Sequence, residues 1–205
     1  GDVRTLPYPD NAFDGILSLG VIEHVFEGMA VPIQEMHRVL KSGGVALVIV
    51  PSHNLVRRIK HHTGLAQMRA LVELLKELGF LRRIFGKPIR PKTTVPQPTR
   101  PPSFHRWPMY GTFFEYRLTK SEFEQELTAQ GFAVVESVPT SLIDGLYHEF
   151  GRPFVRFENL TFYPNAAGRW LNGFLSRRPF WHNHMHLCVV RKMPRPTGSA
   201  SAPPV

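Results

Sequence analysis

Two short apolar runs, FDGILSLG at 13–20 and GVALVIVP at 44–51, constrain this chain more than any other feature. Neither alternates polar with apolar residues, so each reads as a strand covered on both faces, the habit of central parallel strands. Between them Ile33, Met36, Val39 and Leu40 recur at helical spacing. Pro32 suits a first helical turn, Lys41 a last turn, and Gly43 a cap just beyond it. Strand, helix, strand is the unit that joins two parallel strands; its crossover is right-handed as a rule, and it brings the carboxyl ends of both strands to one edge. On that edge stand Leu19 and Gly20 after the first strand, and Ser52, His53 and Asn54 after the second. Ligands of open α/β sheets bind there.

A second unit starts at Thr119. The stretch TKSE forms a capping box with Glu122; Phe123 and Leu127 share one helical face, and Gly131 stops the helix. FAVVESV at 132–138 follows as a strand, MHLCVVRK at 185–192 is another, and both are expected in the same sheet. Two stretches fall outside this alternation. Residues 53–117 hold an amphipathic helix with Leu71, Leu74, Leu75 and Leu78 on one side, then the run GKPIRPKTTVPQPTRPP, too rich in Pro and charge to build a core. This segment is expected to act as a mobile or partly extended lid. Residues 139–184 carry too many aromatic side chains for a solvated loop, and are expected to pack as a helical cover. The tail PRPTGSASAPPV is low in complexity, and no internal repeat is present.

Charge separates these regions. The formal net charge is +9, yet segment 57–106 alone holds twelve Lys or Arg against two acids, and the remainder is close to neutral. One basic segment could therefore attract phosphate, an anionic membrane surface or an acidic substrate. The single cysteine, Cys188, cannot form an internal disulfide, so a buried thiol in a strand and a cytoplasmic setting are expected. The longest apolar run, 45–51, falls far short of the roughly 20 residues of a membrane-spanning helix.

Together, GDVRTLPYPDNAFDGILSLGVIEHV, HRVLKSGGVALVIVP and FFEYRLTKSEFEQELTAQGFAVVES resemble the class I S-adenosylmethionine-dependent methyltransferases, specifically the type 11 group. The resemblance covers roughly 1–54 and 112–138, with 185–192 as the last strand. It implies an α/β fold with a Rossmann-like sheet of seven strands, six parallel and the last antiparallel, and the methyl donor S-adenosyl-L-methionine lying across the strand ends. In that family a first strand, a Gly-rich turn and a ribose-binding acid come earlier than anything found here; no G-x-G-x-x-G is present. The sequence thus resembles an amino-terminally truncated piece that begins at the end of the family's third strand. On this reading 1–54 is a partial core with strands four and five, 55–117 a basic, Pro-rich insertion or lid, and 118–138 a core helix with strand six. Residues 139–184 form an aromatic cover, 185–193 the last strand, and 194–205 a disordered tail.

By motif position the resemblance places Asp2 and Val3 at the adenine, where a carboxylate can accept from the exocyclic amine and the next backbone N–H can donate to a ring nitrogen. It places Leu19 and Gly20 at the donor's charged amino group. Asp14, at the amino end of its strand, is expected to make a structural contact, and Asp10-Asn11 a turn. Methyl transfer from a sulfonium is an in-line displacement, and a base helps only where the acceptor must lose a proton. His24, just past strand four, is the expected base, since imidazole titrates near neutral pH; His53 is a second candidate. Glu23 is expected to interact with a helix amino terminus. His182, His184 and His186 alternate as zinc ligands can on a strand, but with only Cys188 beside them they read as surface residues, and no metal is expected.

The expected activity is methyl transfer to a small-molecule, glycan or lipid acceptor, with peripheral membrane contact through the basic lid left open. Two alternatives remain: a non-catalytic methyltransferase-like module that binds a partner through its Leu helix, and nucleic-acid binding through 57–106, where aromatics are sparse and stacking support is thin. Without strands one to three, strand four should expose an edge or a face, so self-association of the isolated chain is expected.

Overall fold

Parallel pairing of the two apolar runs is the first feature of the computed structural model, which describes residues 1–60, 105–109 and 112–193. Strand β1 (Phe13–Leu19) lies beside β2 (Leu40–Pro51), and helix α1 (Ala30–Val39) connects them. Helix α2 (Leu55–Lys60) follows β2. The chain returns as an antiparallel pair, β3 (His105–Met109) and β4 (Thr112–Arg117), and continues into helix α3 (Lys120–Ala129) and strand β5 (Phe132–Thr140). Strand β8 (Met185–Lys192) inserts between β2 and β5 and runs antiparallel to both, giving the order β1-β2-β8-β5. This is a mixed α/β, Rossmann-like sheet whose last strand in sequence is the antiparallel one. Among the described residues no helix is long and apolar enough to cross a membrane.

The core lies on one face of that sheet. Ala46, Val48 and Val50 of β2 and Cys188 and Val190 of β8 are fully buried against Ile33 and Met36 of α1 and Phe123 and Leu127 of α3. Each large apolar side chain buried this way stabilises the fold by roughly 1.5–3 kcal/mol. The α3 boundaries follow local signals: Thr119 Oγ1 accepts from the Glu122 backbone N–H, the Glu122 carboxylate accepts from the Thr119 N–H at 2.8 Å, and Gly131 takes a positive φ of 90°.

Two expectations fail here. The apolar strands are covered on one face, not two, by the described residues. Leu17 and Leu19 of β1 are 69% and 59% exposed, and the rows Leu17, Leu47, Val189 and Leu19, Ile49, Leu187 run across three strands on that open face. Gly43 does not cap α1. The helix ends at Val39, and Leu40 enters β2 at once because it pairs with Phe13; the step from Phe13 to Gly15 is then matched by the step from Leu40 to Val45. The excess residues bulge. Gly43 turns with a φ of 77°, and a Cβ on Gly44 would sit 2.8 Å from Leu40 Cγ and 2.9 Å from the Lys41 carbonyl oxygen. Lys41 binds both carboxylate oxygens of Asp14 at 2.8 Å, the structural contact expected of that aspartate.

The aromatic region contains more than helices. Helix α4 (Leu142–Phe150), the hairpin β6 (Val155–Glu158) with β7 (Thr161–Pro164), and helix α5 (Ala166–Leu175) enclose a small second core around Leu146, Val155 and Leu175. Tyr147, Phe154 and Phe162 pack on it, while Trp170 and Phe174 stack on each other at the surface. The expected leucine-rich helix, the Pro-rich run and the tail from 194 lie outside the described residues, as does most of the basic segment.

Candidate functional site

The carboxyl edge of β1 and β2 is shaped by a glycine. Gly20 continues the ladder by donating its N–H to the Ile49 carbonyl at 3.0 Å, then turns with a φ of 69°, a conformation that side-chain-bearing residues rarely adopt. The chain enters a single 3₁₀ turn, Ile22–His24. Ile22 anchors this turn in the core and draws Glu23 in with it, leaving Glu23 only 1% exposed. A Cβ on Gly20 would lie 3.4 Å from Glu23 Oε1, so the glycine also leaves room for the carboxyl. Glu23 lies in the first turn of this 3₁₀ helix and its carboxylate accepts from its own backbone N–H, the contact with a helix amino terminus that the sequence suggested. Burial pushes its pKa up to about 7, and the nearby Glu115 charge adds to the rise, while its own backbone N–H and His24 oppose it. His24 stands at the rim, its side chain 40% exposed and its Nε2 3.8 Å from Glu23 Oε1.

Beyond the end of β2 a buried charge network forms the floor of this edge. Asn54 Oδ1 accepts from the Arg57 backbone N–H at 2.8 Å and starts α2; Asn54 Nδ2 donates to the Asn183 carbonyl at 3.0 Å. Arg57 Nη1 donates to the Ser52 carbonyl, and its Nη2 lies 2.7 Å from Glu149 Oε1, with both side chains 3% exposed. Burial pulls the Arg57 pKa down to about 10, helped by the neighbouring Arg117 charge and opposed by Glu149 and Glu115. Burial also works against ionising Glu149, but Arg57 and Lys60 outweigh it and hold the carboxyl below its ordinary value. On β4, Arg117 Nε donates to Glu115 Oε1 at 2.6 Å, and the Tyr116 hydroxyl donates to the Phe26 carbonyl at 2.6 Å, fastening the strand to the loop after Glu23. Acids and guanidiniums thus pair within a site largely closed to water. Nothing local in the sequence flags Glu115, Arg117 or Glu149, because strands and helices far apart in the chain bring them together.

The residues assigned to the nucleoside end occupy a tight turn at the start of the chain, in which the Thr5 N–H donates to the Asp2 carbonyl at 3.1 Å. The Asp2 carboxylate accepts from the Arg4 side chain through both oxygens and from the Arg4 N–H, and these bonds hold its pKa down to about 2. Arg4 also reaches Glu27 Oε1 at 3.1 Å, tying Asp2 and the half-buried Val3 toward the loop that follows Leu19, Gly20 and His24. A cavity of about 480 Å³ lies elsewhere, between Asp10, Gln34, Arg38, Ser42 and Lys192 near the amino ends of β1 and β2. It belongs to the opposite edge from the residues described here.

The three histidines near the last strand are not surface residues. His182 and His186 are fully buried: His182 Nε2 lies 3.2 Å from Asn172 Oδ1, and His186 Nε2 2.9 Å from Ser137 Oγ, with its ring set edge-on between Phe123 and Phe180. Only His186 lies in β8, so the three do not share a strand face. Cys188, beside Ser137 at 3.4 Å, has its pKa pushed up to about 11 by burial and is an inert packing thiol.

Residues 1–48, which include the turn at Asp2, β1, Gly20 and Glu23, match the family model described as a methyltransferase domain, the type 11 group. These residues are similar to that family over less than half of the chain. The 2-methyl-6-phytyl-1,4-hydroquinone methyltransferase 1 of Oryza sativa subsp. japonica, a chloroplastic protein, is 47% identical over 53 residues. That alignment covers 26% of this chain and 16% of the rice protein. Among solved structures, a SAM-dependent methyltransferase from Methanosarcina mazei aligns over 94% of this chain and 65% of its own, at 13% identity and a TM-score of 0.46. The 1,6-didemethyltoxoflavin-N1-methyltransferase of Burkholderia thailandensis, bound to S-adenosylhomocysteine, aligns over 95% and 49% at 12% identity and a TM-score of 0.45. The matched segment therefore holds the carboxyl edge of β1, and the charged floor is supplied by parts of the chain beyond it.

Proposed function

We propose that this chain contributes the nucleoside rim and the acceptor side of an S-adenosylmethionine-dependent methyltransferase acting on a small molecule. The match of residues 1–48 to the methyltransferase domain carries the reading; the rice relative, a hydroquinone methyltransferase, supports a small-molecule acceptor. The residues present suit the donor's nucleoside end. Arg4 keeps Asp2 ionised, and a carboxylate offers about four lone-pair sites, enough to accept from an exocyclic amine beside Arg4. Gly20 presents backbone without a side chain at the strand end. When bound, the donor supplies an electrophilic methyl group on a sulfonium.

This chain's own part is to exclude water, orient the acceptor and manage its proton. His24 at the rim takes the proton from an acceptor hydroxyl or amine as the new bond to the methyl carbon forms. Glu23, buried behind it with a pKa of about 7, is half protonated near neutrality and stabilises the imidazolium when ionised. The Arg57–Glu149 and Arg117–Glu115 pairs keep the floor ordered without leaving a bare charge.

Isothermal titration of S-adenosylhomocysteine into the polypeptide that carries these residues tests the reading. Saturable one-to-one binding is expected, weakened in Asp2→Ala and unchanged in His24→Ala, which instead lowers the rate of methyl transfer. Absence of any binding heat would remove the enzyme reading.

A further inference from the structure

We propose that Asp144, His148 and His184 form a binding site for a divalent transition metal of the zinc class. Asp144 and His148 stand one turn apart on α4, the i, i+4 spacing that puts two ligands on one helix face. His184 comes to them from the segment leading into β8. One ligand atom from each lies within 4.8 Å of the others, and Asp144 Oδ1 is already 3.0 Å from His148 Nε2. Zinc bonds of about 2.0–2.1 Å set tetrahedral ligand atoms about 3.4 Å apart, so only His184 needs to close in, by a side-chain rotation.

The surroundings are arranged for ligation. The rings of His148 and His184 are stacked at 4.3 Å, so one of them must turn for their in-plane nitrogen lone pairs to meet at one ion. Asp144 Oδ1 is enclosed with the His148 ring as its ion-pair partner, and His184 Nδ1, also enclosed, makes no hydrogen bond among the described residues. Gly145 is required at this point, since a Cβ there would fall 1.7 Å from the His182 carbonyl oxygen; it lets α4 approach the His184 segment. Three protein ligands leave a fourth position for water, the pattern of an open site rather than a closed structural one. The cluster adjoins the carboxyl edge of the sheet, because the His184 carbonyl accepts from the Ser52 N–H at 2.8 Å. The neighbouring cations do not preclude an ion: Arg57 is neutralised by Glu149 and Arg117 by Glu115.

The test strips the full chain with a chelator, re-equilibrates it with zinc sulfate, removes excess by dialysis and measures bound metal by mass spectrometry. About one zinc per chain is expected. His148→Ala, whose side chain is 44% exposed and removable without loss of fold, should weaken zinc by about 100-fold or more, as should the near-isosteric Asp144→Asn. His37→Ala, at the opposite edge of the sheet, should leave binding unchanged. Cobalt loaded into the unmodified protein should give visible ligand-field absorption of a nitrogen-and-oxygen site, a readout that needs no variant. No retained zinc, or equal loss in His37→Ala and His148→Ala, would overturn the site. Metal binding is independent of donor binding, so its failure leaves the methyltransferase reading standing.

Discussion

Replacing Glu23 by Gln should make the protein more stable at neutral and alkaline pH and slightly less stable in acid. The side chain is 1% exposed, and its Oε2 has no hydrogen-bond partner among the described residues. An ordinary glutamate ionises near 4.5, whereas burial and the Glu115 charge hold this one at about 7. The sign follows from proton linkage. With the folded pKa above the unfolded one, the stability linked to this proton is fully present below about pH 4.5 and is lost as pH climbs through 7. The loss approaches about 3 kcal/mol well above neutrality, with a slope of about 1.4 kcal/mol per pH unit in between. Gln mimics the protonated acid and does not titrate, so it removes this loss; its amide, short of partners, gives back about 1 kcal/mol at every pH. Urea unfolding at fixed pH values from 5 to 8, on both proteins, isolates the difference because every other group titrates alike. The gap should widen with pH in favour of Glu23→Gln. Parallel stability profiles would refute the burial argument and, with it, the assignment of Glu23 to proton handling.

Two further outcomes follow from packing. Gly145→Ala should fail to fold, or melt far below the parent protein by thermal denaturation, since its methyl group would meet backbone, which cannot rotate away. Leu17→Lys, on the open face of β1, should reduce self-association in sedimentation while changing unfolding free energy by less than about 0.5 kcal/mol, because that side chain is 69% exposed.

What the sequence disclosed depended on the range of the interactions that decide each element. Thr119, Glu122 and Gly131 bound α3 through contacts within a turn, so α3 could be read directly, and β8 begins and ends where its apolar run does. Gly43 misled because its cap logic is local, while the pairing of Leu40 with Phe13 is not. At the candidate site, Gly20 and the position of His24 past the first strand were visible, since both are fixed by the strand that precedes them. Glu23 was not. Its chemistry comes from Ile22 pulling the turn inward and from Glu115 on a strand far along the chain. The Asp144, His148 and His184 cluster was hidden for the same reason: the spacing of 182, 184 and 186 suggested a strand ladder, but β8 starts only at Met185, and the partners came from α4.

The middle position of β8 has a consequence for biosynthesis. This strand is almost the last part described, yet it is the plank on which both β2 and β5 rest. The β1–β2 pair can form on its own, but it cannot be joined to β5 on the ribosome before Lys192 has left the exit tunnel, and such long-range closures are slow. A nascent chain therefore waits with the β2 and β5 edges unsatisfied, which makes β8 a folding trigger and its deletion far more damaging than the loss of 8 residues suggests.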